Sequence, residues 1–195
     1  MLLKAPRKTK KKEAMTQEEI IQGSLLYHSV HGLCRVDQLI KQNQSGKQVL
    51  SYSLSPKAVN KMKIRFVIPS ADLEISGFHP LVSLKEAHGI LDYLKSGDLT
   101  AIPSNVEKEA DAAAAWAQTW VLAKEILSFA KDRSDVKDQR KRQMIERSVK
   151  GLVGELSIAL KLSLKEAAAK VRSSLGSPSK VNPWVLVAIT NAAED

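Results

Sequence analysis

Val30-His31-Gly32-Leu33-Cys34-Arg35-Val36 stands at the centre of a run of short β-type segments over residues 24–83. Apolar and β-branched residues come there in short bursts between turn formers, the pattern of brief, half-buried strands. Residues 24–29 read as a first strand and 33–42 as a second, with Val36 and Ile40 apolar. Asn43-Gln44-Ser45-Gly46 is a hairpin turn, since Asn and Gly tolerate left-handed backbone, and 47–54 is the returning strand. Ser55-Pro56-Lys57 breaks the run. Residues 63–68 alternate Ile64, Phe66 and Ile68 with Lys63, Arg65 and Val67, which predicts a fourth strand ended by Pro69. Residues 72–75 are expected as a short fifth. Five short strands with no long helix among them predict a small closed barrel, because closure removes unpaired edges.

Downstream the hydrophobic period changes to that of helices. Ser83-Leu84-Lys85-Glu86 is a capping box, and a helix is expected from there to about residue 95, stopping at Gly97. Ser104-Asn105-Val106-Glu107 opens a second, Ala-rich helix to about residue 130, with Trp116 and Trp120 one turn apart. Large rings beside small Ala side chains fill a core better than they stack on bases. A third helix is expected over residues 135–160, where Ile145, Val149, Leu152, Leu156 and Ala159 step by three and four. Ser163-Leu164-Lys165-Glu166 starts a fourth, with Gly176 as its C-cap, and Ser177-Pro178-Ser179 marks a loose tail. Four helices with short connections predict a compact bundle.

The fold class expected is therefore α+β in two domains: a small N-terminal β-barrel and a C-terminal helical bundle. The boundaries are a basic arm at 1–19, a β domain at 20–82, a helical domain at 83–176 and a tail at 177–195. In the arm, Lys4, Arg7, Lys8, Lys10, Lys11 and Lys12 repel one another and predict disorder.

The formal net charge of +9 fits a polyanionic partner, nucleic acid or an anionic membrane surface, and equally a protein that is merely basic. The single cysteine, Cys34, excludes an internal disulfide and points to a reducing compartment. Met1-Leu2-Leu3 is too short for a signal peptide, and 184–189 too short to span a bilayer, so a cytoplasmic protein is expected.

No motif for catalysis stands out: there is no phosphate-cradling Gly-rich loop and no nucleophile elbow. His28 and His31 lack the partners that would complete a metal site, and a structural role is expected for all four histidines. Cys34 next to Arg35 is read as a small core residue, and the carboxylates as occupants of solvated helix faces. No enzyme activity, cofactor, metal or small-molecule substrate is expected. The strongest binding signal is cationic. Lys137, Arg140, Lys141, Arg142, Arg147 and Lys150 crowd the start of the third helix, and Lys137, Arg140, Lys141 and Arg147 have the spacing to share one face. Such a face suits phosphates. Its plain alternative is a solvated surface balanced by Asp135, Asp138 and Glu146.

Two blocks resemble the CarD-like regulators of bacterial RNA polymerase. In the first, His31-Gly32, the hairpin at 43–46 and Arg65-Phe66-Val67-Ile68-Pro69 are similar to the polymerase-interacting domain shared with transcription-repair coupling factors. Ile75-Ser76-Gly77-Phe78-His79-Pro80-Leu81-Val82 resembles the segment leading out of that domain. His28-Ser29 stand where a Tyr-Pro pair is usual, and 55–62 looks like an insertion. In the second block, Gln143-Met144-Ile145-Glu146-Arg147-Ser148 and Leu152-Val153-Gly154-Glu155-Leu156-Ser157-Ile158-Ala159-Leu160 are close to the family's last-helices signature.

The resemblance implies a Tudor-like barrel that binds the polymerase β subunit by strand addition, and a bundle that sits on promoter DNA and modulates open-complex stability. It places the polymerase contact at Lys63, Arg65 and Val67, the family's usual contact arginine falling on Val67. The DNA contact it implies is expected at the cationic face of Lys137, Arg140, Lys141 and Arg147 read from their spacing. Family members wedge a Trp into the minor groove after a Pro-Thr-Asn-like helix start. Pro103-Ser104-Asn105-Val106 is the equivalent here, so Val106 takes the wedge position with less stacking area. The alternative expectation is a protein-interaction adaptor without catalysis and without direct DNA contact.

Overall fold

Gly32 adopts a φ of 68°, a left-handed conformation that suits glycine, and turns β1 (Leu25–His28) back along β2 (Gly32–Gln44). The computed structural model describes residues 20–44, 47–57, 63–73, 75–101, 118–132, 134 and 137–194. β2 pairs antiparallel with β3 (Lys47–Pro56) up to Gln44↔Lys47, as the hairpin reading predicts. β4 (Phe66–Pro69) pairs with β3, and β5 (His79–Pro80) with β1. The sheet order is β4-β3-β2-β1-β5, antiparallel throughout.

The expected barrel closure is not seen. The sheet is open, with β4 and β5 as its edges. β5 is only two residues long and leads through Leu81 and Val82 into a helix of the bundle, so it has no length left for pairing with β4. The fifth strand is also not at 72–75. Ser70–Asp72 is a 3-10 turn, and Ser76 ties back to it, its N–H donating to the Asp72 and Leu73 carbonyls and its hydroxyl to Leu73. The fourth strand starts at Phe66 rather than 63, because Lys63 has a φ of 50°, which no strand accepts. Within β4 the alternation holds: Phe66 and Ile68 are half-buried and Val67 is exposed.

Register in β2–β3 shifts once. Val36 faces Leu54, but Gln38 faces Ser53, leaving Asp37 as the extra residue of a bulge. The bulge changes which parity points inward, so Leu39, opposite buried Tyr52, shares the face of Val36, and Ile40 lies on the other side. Leu26, Cys34, Val36, Tyr52, Leu54, Leu73 and Phe78 form the sheet's core.

Among the described residues there are five helices: α1 (Leu84–Ser96), α2 (Gln118–Lys131), α3 (Gln139–Leu160), α4 (Leu164–Ser174) and α5 (Pro183–Ala192). Both described capping boxes form. Ser83 N–H donates to Glu86 at 2.7 Å, and Ser163 N–H to Glu166 at 2.9 Å. The Ser104 box, Val106 and Trp116 lie outside the described residues, as does the arm at 1–19. Ala87, Ile90 and Leu94 of α1, Ala123 and Ile126 of α2, Ile145, Val149, Leu152 and Leu156 of α3, and Val171 of α4 make one core. Trp120 is part of it, its ring edge-on to Tyr93.

The loose tail at 177–195 is corrected. Residues Pro178–Lys180 form a 3-10 turn, and α5 follows, with the Asn182 side chain accepting from Trp184 N–H and Pro183 in the first turn. Asn182 N–H also donates to the Ala130 carbonyl at 3.0 Å. Val185, Ala188, Ile189 and Ala192 are buried against the bundle. A cap, a proline at the helix start and apolar residues at helical spacing outweigh the loop composition of Ser177-Pro178-Ser179. No described helix is long and apolar enough to cross a membrane.

Candidate functional site

Three places on the molecule gather the side chains that could meet a partner or govern how it is met: the β4 edge, the start of α3, and the seam between sheet and bundle.

At the edge, Lys63 and Arg65 are exposed on the approach to β4, and Val67 is 54% exposed within it. Arg35 and Arg65 both act on Asp37, the bulge residue. Its carboxyl is held below the usual carboxylate range by a hydrogen bond from Ser55, with Arg35, 3.1 Å away, and the more distant Arg65 adding to the effect. Behind β4 lies a cluster of rings. His28 stacks on His31 at 4.5 Å, His31 packs on Phe66 at 4.5 Å, and His28 on Phe78 at 4.8 Å. His28 Nδ1 accepts from Val30 N–H at 3.0 Å and His31 N–H at 3.2 Å, so it shapes the β1–β2 turn. Burial, then the neighbouring His31 and His79, lower its pKa to about 4. Cys34 is fully buried, and burial pushes its thiol up to about 11, opposite to activation by Arg35. Among the described residues no group of three or more His, Cys, Asp or Glu is placed to hold a metal ion.

The cationic face at α3 is smaller than the spacing suggests. Asp138 caps the helix, accepting from Arg140 N–H at 2.8 Å, so Lys137 precedes the helix instead of riding on it. Lys141 does not join Arg140 and Arg147. Its ammonium turns to Asp132 at 2.6 Å. That hydrogen bond, with further ones from Ser134, holds the Asp132 carboxyl well below its ordinary range. Arg140 and Arg147, two turns apart, remain exposed on one side of α3. Arg142 leans the other way, its guanidinium 3.9 Å above the Trp184 ring of α5.

The seam is the part that residue types and spacing did not announce. Glu155 sits on α3 with no exposed surface, where the carboxylates are expected on solvated faces. Its Oε2 receives the Thr119 hydroxyl of α2 at 2.7 Å and lies 3.1 Å from His79 Nε2 of β5. Its Oε1 receives Val82 N–H, on the stretch joining sheet to bundle, at 3.1 Å. Beside it, the Tyr27 hydroxyl of β1 donates to the Gly151 carbonyl at 3.0 Å. The Tyr27 phenol is raised by burial, then by the Glu155 charge. Glycine is required at this contact for space: a Cβ at Gly154 would lie 2.5 Å from the Tyr27 oxygen, and one at Gly151 2.9 Å from Ser29 Cβ. The only sequence signal is an acid inside the apolar run Leu152-Val153-Gly154-Glu155-Leu156, next to small residues three apart. Compared with protein-family models and with curated proteins, the chain matches none.

Proposed function

We propose that the protein is a transcription regulator of the CarD-like kind, acting without catalysis. In this reading the five-stranded sheet is an opened relative of the Tudor-like barrel and holds the β subunit of bacterial RNA polymerase. The helical half touches promoter DNA, and the pair of contacts modulates open-complex stability. The observation that carries the reading is the edge strand β4: the described sheet ends there, with Val67 exposed and Arg65 beside it. A sheet edge can accept an added strand, in which backbone bonds give affinity and alternate side chains give specificity. Arg140 and Arg147 supply the second, weaker grip, which tethering to polymerase makes effective by raising local concentration. The Lys141–Asp132 pair favours a second reading, an adaptor with no DNA contact, because it removes a cation from the face that would need it.

The full-length protein is titrated against purified polymerase and, separately, promoter DNA at several salt concentrations. Polymerase binding that Arg65→Glu weakens supports the proposal. Joint Arg140→Ala and Arg147→Ala substitution is expected to flatten the salt slope of DNA binding by up to about two units while leaving polymerase binding intact. No affinity of the folded protein for polymerase overturns the proposal. Polymerase binding with an unchanged salt slope selects the adaptor.

A further inference from the structure

The sheet core and the bundle core are two separate apolar clusters. What joins them is the polar seam around Glu155. We infer that Glu155 is a latch fixing the sheet and the bundle in one orientation, so that surfaces on the two halves are presented at a set geometry. This goes beyond the proposed function and does not depend on it.

Convergence carries the argument. The side chain of Glu155 issues from α3, and its partners come from elsewhere: His79 from β5, Val82 N–H from the connecting stretch, and Thr119 from α2. His79 and Glu155 have side chains 2% and 0% exposed, so no water replaces a lost partner without a rearrangement. Tilting the sheet on the bundle would leave Val82 N–H and His79 Nε2 unpaired together, while Thr119, on α2, stays bonded to Glu155 and holds the carboxyl in place for them. Buried polar groups are costly to orphan, so the latch opens as a unit. Apolar side chains would glue two halves as well or better. A buried carboxyl with several directed bonds adds a preference for one geometry. Gly151 and Gly154 complete the device. They let β1 approach α3 closely enough for the Tyr27 hydroxyl to reach the Gly151 carbonyl, a second bond of fixed direction along the same seam.

The test is hydrogen exchange followed by mass spectrometry on the full chain, wild type against Glu155→Ala and Thr119→Val. A latch predicts that residues 25–28 and 79–82 exchange faster by about tenfold or more in Glu155→Ala. The β2–β3 hairpin and α4 keep their wild-type rates. Thr119→Val, which keeps the side chain's shape and loses only the hydroxyl, should show the same local pattern at smaller amplitude. Faster exchange spread evenly over both halves would make Glu155 an ordinary core residue and overturn the inference. Unchanged exchange at residues 79–82 would do so too. If Glu155→Ala does not fold, Thr119→Val and Tyr27→Phe decide the matter by the same criterion: acceleration at the seam alone supports the latch, and uniform or absent acceleration refutes it.

Discussion

The bundle buries Ile90, Ile126, Val149, Leu152, Val171 and Val185 from five helices against one another, while the sheet gathers a smaller core from Leu26, Cys34, Val36, Tyr52 and Leu54 on three strands. The sheet also leaves Tyr27 and His79, on β1 and β5, to find their partners on α3. One half is finished by its own side chains, and the other is finished by its neighbour. Stability should therefore be unequal: damage to the bundle reaches the sheet, and damage to the sheet stops at the seam.

The sharpest way to break that comparison is a matched pair of cavities. Leu152→Ala and Leu54→Ala each remove a fully buried side chain and should each cost about 2–5 kcal/mol. Leu152→Ala should lower the unfolding of both halves together. Leu54→Ala should accelerate hydrogen exchange in β2–β4 and leave α4 and α5 protected. Loss of helix protection in Leu54→Ala would end the asymmetry.

Acid offers a gentler probe of the sheet. His28 has a folded pKa of about 4 against an ordinary 6.5, so the unfolded chain takes up the proton first as pH falls. Its contribution is intact above about 6.5 and is lost progressively down to about 4, with no further loss below that. Melting temperature should fall by a few degrees over this window, and less in His28→Asn, whose side-chain oxygen can still accept from the turn amides.

Helix caps come next. Ser83→Ala and Ser163→Ala each remove a box and should each cost about 1 kcal/mol in chemical denaturation. Ser83 follows Val82, which is tied to Glu155, so its loss should also speed exchange at residues 79–82, whereas loss of Ser163 should not. Equal effects at the seam would blur the boundary between the halves.

The smallest effect is expected at the surface. Asp132→Ala frees Lys141 and should leave stability nearly unchanged, as for other exposed pairs. If α3 does meet DNA, the same substitution should steepen the salt slope of binding by about one unit.

Local features were legible in the residues wherever one segment settles its own structure. The hairpin, the capping boxes, the alternation of Phe66, Val67 and Ile68, and the burial of Cys34 and Trp120 all follow from neighbours a few positions away. What escaped depends on distant partners. β5 is a two-residue strand carrying a proline, too short for any period to show. The bulge at Asp37 is a matter of register against β3. α5 looks like a tail until Ala130 and the bundle core receive it. Lys141 has the spacing of a phosphate contact, and only the position of Asp132 turns it away. Glu155 is the extreme case, since its partners stand 36, 73 and 76 positions away.

The stacking of Arg142 on Trp184 gives the molecule an optical gauge. Trp184 is half-buried under a cation, whereas Trp120 is 6% exposed in the bundle core. Iodide, an anionic quencher, is drawn toward the guanidinium and meets the first indole while the second stays dark to it. With Trp116 replaced by Phe, the fluorescence of the folded protein divides into an accessible and a shielded fraction. The accessible fraction then reports, in real time and without a label, whether α5 is docked.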